Sequence, residues 1–258
     1  MPITIHPTAI VSPKAEIGEN CSIGPYSIIY DHVTLGANTV IQAFCEIGYM
    51  RDDLEDARLT IGANSLVRSH SVFYQGSTFG EHLQTGHHVI VREQSQIGRY
   101  VAIGTLCDIQ GQCQLGDCVH LHSKVFVAQL SYIGPFVWIF PSCVLTNDPH
   151  PPSYGVKGVH IENYAIVASM STILPGVRVG AEAVIGAMSL VNRNVPPRQL
   201  AFGVPARVWG DIEQRMDAEG KAVYPWFPNL KKRYPAEAMA VWESYLQARE
   251  GQRSDAQQ

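Results

Sequence analysis

Polar side chains that could move a proton or hold a polar substrate are concentrated between residues 87 and 148. Three of them are the imidazoles of His87, His120 and His122, a side chain that can act as a general base. Steps of 18 residues give two series whose members are polar except for Gly111, namely Glu93, Gly111, Gln129 and Asn147 in one and His87, Thr105 and Ser123 in the other. The alternative interpretation is that these imidazoles are merely solvated or lie at a subunit contact. If these residues form one functional site, the chain must return to the same place every 18 residues.

An aliphatic residue does recur at every sixth position through most of the chain. The first run is Ile5, Val11, Ile17, Ile23, Ile29, Leu35, Ile41 and Ile47. The second is Ile61, Val67, Phe73, Phe79, Thr85, Val91, Ile97, Ile103, Ile109, Leu115, Leu121, Val127, Ile133, Ile139 and Leu145, and the third is Ile161, Val167, Ile173, Val179, Ile185 and Val191. Thr85 is the one non-apolar member. A period of six excludes an amphipathic helix, whose period is 3.6.

Each repeat makes one short strand and one corner, so three successive repeats close a triangular coil that stacks on the next coil. Small or β-branched residues follow the aliphatic positions by four, and they include five of the six cysteines, which we interpret as core fillers. Glycine often follows the aliphatic residue directly, as at Gly18 and Gly104, where its backbone freedom suits a tight corner. The repeat predicts an all-β solenoid, a parallel β-helix of about ten triangular coils.

Two breaks and one change of composition define the predicted domains. Residues 49–59 are charged and residues 148–160 are rich in Pro and Gly, so both are predicted to be loops projecting from the β-helix. The β-helix domain is predicted to span residues 1–209. A C-terminal helical extension is predicted for residues 210–250, where Ala, Leu and Glu are enriched, and a disordered tail for residues 251–258.

The bulk composition limits the classes of partner. The formal net charge is -4 and the pI is near 6.2, with Lys and Arg scattered, so the sequence predicts no nucleic-acid partner. The N-terminus has no positively charged segment followed by an apolar stretch, and no run of about 18 apolar residues occurs. We therefore expect a soluble cytoplasmic protein without membrane insertion.

From Ile5 to about Trp209 the chain resembles the hexapeptide-repeat acyltransferases, whose fold is a left-handed parallel β-helix. The segment 179–210 is similar to the closing segment of coenzyme A-dependent members, including the G-x-P-A-R turn at residues 203–207. The T-N-D motif within residues 139–152 resembles bacterial N-acyltransferases of nucleotide-linked amino sugars. The resemblance implies transfer of an acetyl or short hydroxyacyl group from acyl-CoA to the amino group of a dTDP- or UDP-linked amino sugar in surface-polysaccharide biosynthesis. It also implies a homotrimer and no metal.

The resemblance assigns roles to the polar residues. The predicted catalytic residues are His122, Asn147 and Asp148, with His122 as base or amine-orienting group, and the predicted substrate-binding residues are Ser123, Gln129, His120 and His87. In the family's lipid A and bacillosamine branches an Asp or Glu follows the catalytic His in the hexad, whereas the equivalent place here is Gln129. This departure favours an amine acceptor, which is already a good nucleophile and needs a base less than an alcohol does.

The resemblance also implies where the donor binds. Backbone groups around Ala168 and Ala187 are expected to line a groove for the pantetheine arm of coenzyme A. The turn that contains Pro205 lies near the adenine end in the family, and Arg193 and Arg207 are expected to neutralise phosphate.

Three other interpretations remain. One is an O-acyltransferase of a sugar, or an acyl-carrier-protein-dependent acyltransferase of the lipid A type. A second is a zinc lyase of the γ-carbonic anhydrase type, for which His82 and His87 have a suitable spacing but Glu46 stands where the third histidine is expected. The third is a non-catalytic β-helix, against which the T-N-D and G-x-P-A-R segments argue because packing alone does not require them.

Overall fold

The computed structural model describes residues 2–50, 57–212, 218–220, 234–240, 242–244 and 247 of the chain. The chain divides into two units, Met1–Gln214 and Arg215–Gln258. The first unit is the β-helix, and the second contains a short helix whose described residues are 236–240, 242–244 and 247. Most of the first insertion, 51–56, and the predicted disordered tail, 251–258, lie outside the described residues.

The first unit consists of three sheets of short strands, and successive strands of the chain join the three sheets in turn. Sheet 1 contains β1 (Thr4–Ile5), β4 (Ser22–Ile23), β7 (Val40–Ile41), β10 (Leu66–Val67), β13 (Gln84–Thr85), β16 (Ala102–Ile103), β19 (His120–Leu121), β22 (Trp138–Ile139), β25 (Ile166–Val167), β28 (Val184–Ile185), β30 (Gln199–Gly203) and β31 (Ala206–Asp211). Sheet 2 contains β2 (Ile10–Val11), β5 (Ile28–Ile29), β8 (Glu46–Tyr49), β11 (Val72–Tyr74), β14 (Ile90–Val91), β17 (Asp108–Ile109), β20 (Phe126–Val127), β23 (Val144–Leu145), β26 (Thr172–Ile173) and β29 (Leu190–Val191). Sheet 3 contains β3 (Glu16–Ile17), β6 (Val33–Leu35), β9 (Leu59–Ile61), β12 (Thr78–Phe79), β15 (Gln96–Ile97), β18 (Gln114–Leu115), β21 (Tyr132–Ile133), β24 (His160–Ile161) and β27 (Arg178–Val179).

The strand register confirms that three repeats close one coil. Each strand pairs in parallel with the strand one coil later, as in Ile103↔Leu121 on sheet 1 and Ile109↔Val127 on sheet 2. The prediction of a left-handed β-helix of about ten triangular coils is confirmed. Strand β31 folds back antiparallel to β30, so strand structure continues to Asp211 rather than ending at the predicted residue 209.

The aliphatic column fills the interior of the prism. Inward side chains such as Ile47, Ile61 and Leu145 have no exposed surface, because each is covered by its neighbours in the coils above and below. Burying one such side chain contributes roughly 1.5–3 kcal/mol. The outward residues on either side of each aliphatic position remain on the surface, which is why residues flanking Leu121 can form a site.

All six cysteines lie in the described part of the chain, where they are buried thiols that form no disulfide. Burial raises the pKa of the Cys45, Cys107 and Cys113 thiols to about 11 and that of Cys118 to about 12. Several thiols also donate to backbone carbonyls, as Cys107 Sγ does to the His122 oxygen at 2.9 Å. The interpretation of five of them as core fillers is consistent with this setting, since the core cluster contains Cys21, Cys45, Cys107, Cys113 and Cys143.

We expect essentially no thiol of the native protein to react with a colorimetric thiol reagent at pH 8, because a buried, protonated thiol is a poor nucleophile. All six should react after unfolding in guanidinium chloride. Rapid reaction of two or more thiols in the native protein would contradict the core-filling role.

The tight corners do not arise from the glycine that directly follows the aliphatic residue, as the sequence predicted. The left-handed backbone conformation falls three residues after the aliphatic position and is adopted by ordinary residues, for example Asn38 (φ 59°) and Lys124 (φ 61°). Gly104, one residue after the aliphatic position, is not among the positive-φ glycines. A Cβ added there would collide with the carbonyl carbon of His122 in the next coil. The expectation that Gly18 and Gly104 provide backbone freedom is wrong, since they instead allow the close approach of adjacent coils.

Candidate functional site

A surface groove of about 360 Å³ lies along sheet 1. It is lined by Arg68, Gln84, Thr85, Gly86, His87, Ala102, Ile103, Gly104, Thr105, His120, Leu121, His122 and Ser123. The groove exists because Gly86, Ala102 and Gly104 place little or no side chain on the outer face, whereas longer side chains stand at its two ends. Those end residues are Arg68 and the pair of imidazoles at His120 and His122.

The two imidazoles lie on either side of Leu121, whose side chain points into the core. Because side chains alternate along a strand, His120 and His122 both point outward, and their ring centroids are 4.5 Å apart. The next coil supports both rings, since His120 stacks on Trp138 at 4.6 Å and His122 stacks on Phe140 at 4.7 Å. These aromatic contacts fix the imidazoles at the end of the groove.

A polar column borders the groove where sheet 1 turns into sheet 2, a place we call corner 1–2. It contains His87, Thr105 and Ser123, the series predicted from the spacing of 18. The His87 N–H donates to the Thr105 hydroxyl oxygen at 3.2 Å, while the His87 and Ser123 side chains are exposed. The structure thus brings together four predicted site residues, namely His87, His120, His122 and Ser123.

The remaining acceptor-site candidates lie elsewhere in the same chain. Gln129 follows β20 and Asn147 follows β23, so both belong to corner 2–3, where sheet 2 turns into sheet 3. The Asn147 amide donates to the Gln129 carbonyl oxygen at 3.3 Å. Neither residue lines the groove. A strand of sheet 2 therefore separates the two polar series within one chain.

Asp148 organises the loop that it begins. Its carboxylate accepts hydrogen bonds from the N–H of His150 at 3.0 Å and from the N–H and hydroxyl of Ser153 at 2.9 and 2.5 Å. The Ser153 hydroxyl bond, with the backbone bonds behind it, holds the pKa of Asp148 below its usual value. Both carboxylate oxygens are engaged in this loop.

We expect Asp148→Ala to loosen the loop 148–160 while leaving the β-helix folded, because three hydrogen bonds to one carboxylate are lost. Tyr154 is fully exposed in this loop and offers a chymotrypsin site. Cleavage there should become at least about tenfold faster, with little change in the melting temperature. The control is Ser142→Ala, an exposed corner residue outside the loop; equal cleavage rates in wild type and Asp148→Ala would refute the organising role.

Most of the predicted donor-site residues lie on the continuation of the same sheet. Ala168 follows β25 on sheet 1, and Ala187 is exposed at corner 1–2, farther along the axis than Ser123. The Ala168 N–H donates to the Ile185 carbonyl at 2.9 Å, so it is engaged within the coil ladder. Its carbonyl accepts from Cys143 Sγ at 3.1 Å and keeps a second lone pair.

The G-x-P-A-R segment forms the turn of the hairpin between β30 and β31. Pro205 and Arg207 are both exposed there, and the Arg207 guanidinium donates to the Ala206 carbonyl at 3.0 Å. This hairpin extends sheet 1 beyond β28. Arg193 instead follows β29 at corner 2–3, where it is exposed and apart from the other donor-site candidates.

Sequence reasoning did not identify three residues of this site, Arg68, Trp138 and Phe140. The signal for the aromatic pair was available, because Trp138 and Phe140 follow His120 and His122 at the same spacing of 18. The signal for Arg68 was weaker, consisting of the single polar residue Thr85 in the aliphatic column.

Two further observations concern metal binding and membrane insertion. Within the described part of the chain, no group of three or more His, Cys, Asp or Glu side chains is arranged to hold a metal ion. His82 lies at corner 3–1, where sheet 3 turns into sheet 1, so it does not share a corner with His87. None of the helical residues that the structure describes forms a helix long and apolar enough to cross a membrane.

Comparison with known proteins adds sequence relatives. A model of the family described as bacterial transferase hexapeptide (six repeats) matches residues 4–49. An acyl-(acyl-carrier-protein)-UDP-N-acetylglucosamine O-acyltransferase from Campylobacter concisus is 27% identical over 224 residues, which is 83% of this chain and 78% of the relative. The enzyme of that name from Chlamydia abortus is 29% identical, over 80% of this chain and 67% of the relative. The bifunctional protein GlmU of a Thermotoga strain is 28% identical over 79% of this chain, which spans 38% of GlmU.

Solved structures of similar chains include LpxA from Acinetobacter baumannii, with 25% identity, a TM-score of 0.44, and coverage of 80% of this chain and 74% of that one. They also include a perosamine N-acetyltransferase from Caulobacter crescentus, with 21% identity, a TM-score of 0.28, and coverage of 82% and 58%.

Proposed function

We propose that this left-handed β-helix is a hexapeptide-repeat acyltransferase and that it transfers an acyl group from a thioester to a hydroxyl of a UDP-linked amino sugar. The observation that carries the proposal is the pair of imidazoles, His120 and His122, at the end of a groove with a floor of small residues. A hydroxyl is a weak nucleophile that needs a base, and an imidazole is suited to that role at neutral pH.

In the proposed reaction His122 takes the proton of the sugar hydroxyl as its oxygen attacks the thioester carbonyl. The carbon–sulfur bond then breaks, and the imidazolium returns the proton to the departing thiolate. The products are an acyl ester of the sugar nucleotide and a free thiol. His120, whose ring centroid is 4.5 Å from that of His122, would help to hold the base in place.

The acceptor proposed here differs from the amine that the sequence favoured. The two O-acyltransferases align with most of this chain, and their names describe an activity on UDP-N-acetylglucosamine with an acyl-carrier-protein donor. Their donor makes acyl carrier protein a candidate beside coenzyme A. Either thioester could follow sheet 1 from His122 past Ala168 towards the hairpin at Pro205.

Transfer of the acyl group to an amine is a second candidate reaction, and one observation favours it. The groove lining contains imidazoles but no Asp or Glu among the described residues. A neutral amine can attack with positioning alone, so it depends less than an alcohol does on a base that is paired with a carboxylate. The T-N-D segment that suggested this acceptor contains Asn147 and Asp148 at corner 2–3.

We also propose that the active form is a homotrimer in which corner 2–3 of one subunit completes the groove of its neighbour. This arrangement would bring Gln129 and Asn147 to the side of the groove that a single chain leaves open. Closed symmetry would then provide three equivalent sites.

The test is thiol release from acyl-CoA and acyl-(acyl carrier protein), with UDP-N-acetylglucosamine and with analogues that carry an amine in place of one sugar hydroxyl. We expect release with the hydroxyl acceptor and a product that hydroxylamine cleaves, because esters are labile to it and amides are not. A hydroxylamine-resistant product formed only with the amino sugar would replace O-acylation by N-acylation. No release with any acceptor would contradict the proposed function.

A further inference from the structure

The hydrogen-bond ladder of sheet 1 changes at the one polar residue of the aliphatic column. At neighbouring coils the residue after the aliphatic position donates its N–H to a carbonyl, as Gln42 does to Val67 and Gly86 does to Ile103. The Arg68 N–H instead donates to the side-chain hydroxyl of Thr85 at 2.9 Å. Strands β10 and β13 accordingly pair only at Leu66↔Gln84, whereas β13 and β16 pair at two positions.

This exchange leaves the Thr85 carbonyl available, and the Arg68 guanidinium donates to it through Nη1. Thr85 is 1% exposed, so its hydroxyl is a buried polar group whose presence in the core requires a partner. A valine would satisfy the repeat without that cost. The effect of threonine is to fix the guanidinium of Arg68 against the strand that forms the groove.

Arg68 also differs in its ionic partners from many other arginines of the β-helix. Arg58, Arg92, Arg99, Arg178 and Arg198 all pair with a carboxylate. Among the described residues, no carboxylate forms an ion pair with Arg68, and the groove that it lines contains no Asp or Glu. A positioned guanidinium in such a groove is suited to bind an anion, and phosphate matches its fork of donors.

The distance along the groove fits a sugar phosphate. Arg68 and His122 occupy equivalent positions three coils apart, just after β10 and β19 of sheet 1, which is about 14 Å at the spacing of parallel strands. The guanidinium reaches one coil towards His122 to meet the Thr85 carbonyl, which leaves about 10 Å between the two groups. Gly86, Ala102 and Gly104 form the floor of that interval, where a hexose ring can lie.

We propose that Arg68 binds the diphosphate of the sugar nucleotide and that Thr85 is the positioning residue that holds its guanidinium. The inference rests on the proposed function and identifies which end of the groove receives the nucleotide. The anomeric phosphate contacts Arg68, the hexose covers the small residues, and the reacting group points to His122. The acyl donor approaches from the opposite end, on the side of Phe140 and Ala168.

The test is calorimetric binding of UDP, uridine and coenzyme A to the full-length wild-type protein and four variants. Arg68→Gln should weaken UDP binding at least about tenfold, because a charge-assisted contact is lost, while uridine and coenzyme A binding stay unchanged. Thr85→Val keeps the shape of the core residue and should weaken UDP binding several-fold without lowering the melting temperature. Thr85→Ser restores the hydroxyl and should recover UDP affinity. Arg99→Gln, at corner 3–1, is the matched control for loss of a surface guanidinium.

The outcomes separate this inference from the proposed function. Wild-type acyl transfer together with undiminished UDP affinity in Arg68→Gln would overturn the inference and leave the function standing. Arg68-dependent UDP binding without acyl transfer would support the inference and count against the function. In an active enzyme we expect Arg68→Gln and Thr85→Val to raise KM for the sugar nucleotide more than they lower kcat, which a general loss of folding would not produce. Absence of UDP binding to wild type would overturn the inference.

Discussion

The His122→Ala variant is expected to transfer acyl groups at least about a hundredfold more slowly than wild type at saturating substrate. The alanine removes the proposed base, and His120 cannot replace it without leaving its stack on Trp138, which has a centroid distance of 4.6 Å. Thiol release under initial-rate conditions measures the effect. Because His122 also stacks on Phe140, melting temperatures must be compared so that lost packing is not read as lost catalysis.

The matched control is His82→Asn. His82 stacks on Tyr100 at corner 3–1, and its φ of 60° is a conformation that asparagine tolerates. This variant should keep wild-type turnover. A fall of less than about fivefold in a stable His122→Ala protein would rule out a general base at this position, and catalysis would then depend on positioning by Asn147 and Asp148.

The fold could be predicted from the sequence because one constraint acts at every coil. The aliphatic residue of each repeat is inside the prism, so a strict period of six records the strand, the corner and the core together. The same regularity predicted that five cysteines fill the core. The physical reason why glycine often follows the aliphatic residue could not be inferred from this regularity. A glycine that permits an unusual φ and one that permits close contact between coils have the same letter, and Gly104 is of the second kind.

The site was predicted in part. A spacing of 18 correctly stacks His87, Thr105 and Ser123 in one column, because each coil comprises three hexapeptides. The same arithmetic does not tell which columns share a surface. Ser123 and Gln129 are one repeat apart, so they lie at successive corners of the triangle, with β20 between them. The core does not constrain the outward side chains. Which of them share a site depends on where small residues open a groove on the surface.

Arg68 shows a different limit of sequence reasoning. Its side chain is held by an exchange of acceptors at Thr85, and this exchange depends on the position of hydrogen bonds within a ladder. The sequence records only that one core position is polar. Departures from a strong pattern are therefore useful places to look for function, since a buried hydroxyl has a cost that some other contact must offset.

Mixed trimers are expected to regain activity that each of two variants has lost. If corner 2–3 of one subunit completes the groove of its neighbour, His122→Ala and Asn147→Ala remove parts of one site that come from different chains. We expect Asn147→Ala alone to lose at least about tenfold in rate, because its amide would no longer hold the acceptor. Random assembly of equal amounts of the two variants should leave about a quarter of the sites intact and restore about a quarter of wild-type turnover.

The informative control combines His122→Ala with Ser123→Ala. Both residues line the same groove, so every groove in such a mixture lacks one of them and no rescue should occur. Co-expression with two affinity tags isolates the mixed trimers, in which about one site in three should be intact, and light scattering gives their subunit number. A mixed His122→Ala and Asn147→Ala trimer no more active than the mean of its parents would show that neighbouring subunits do not share the site. Asn147 and Gln129 would then be structural residues of corner 2–3, which their direct hydrogen bond already allows.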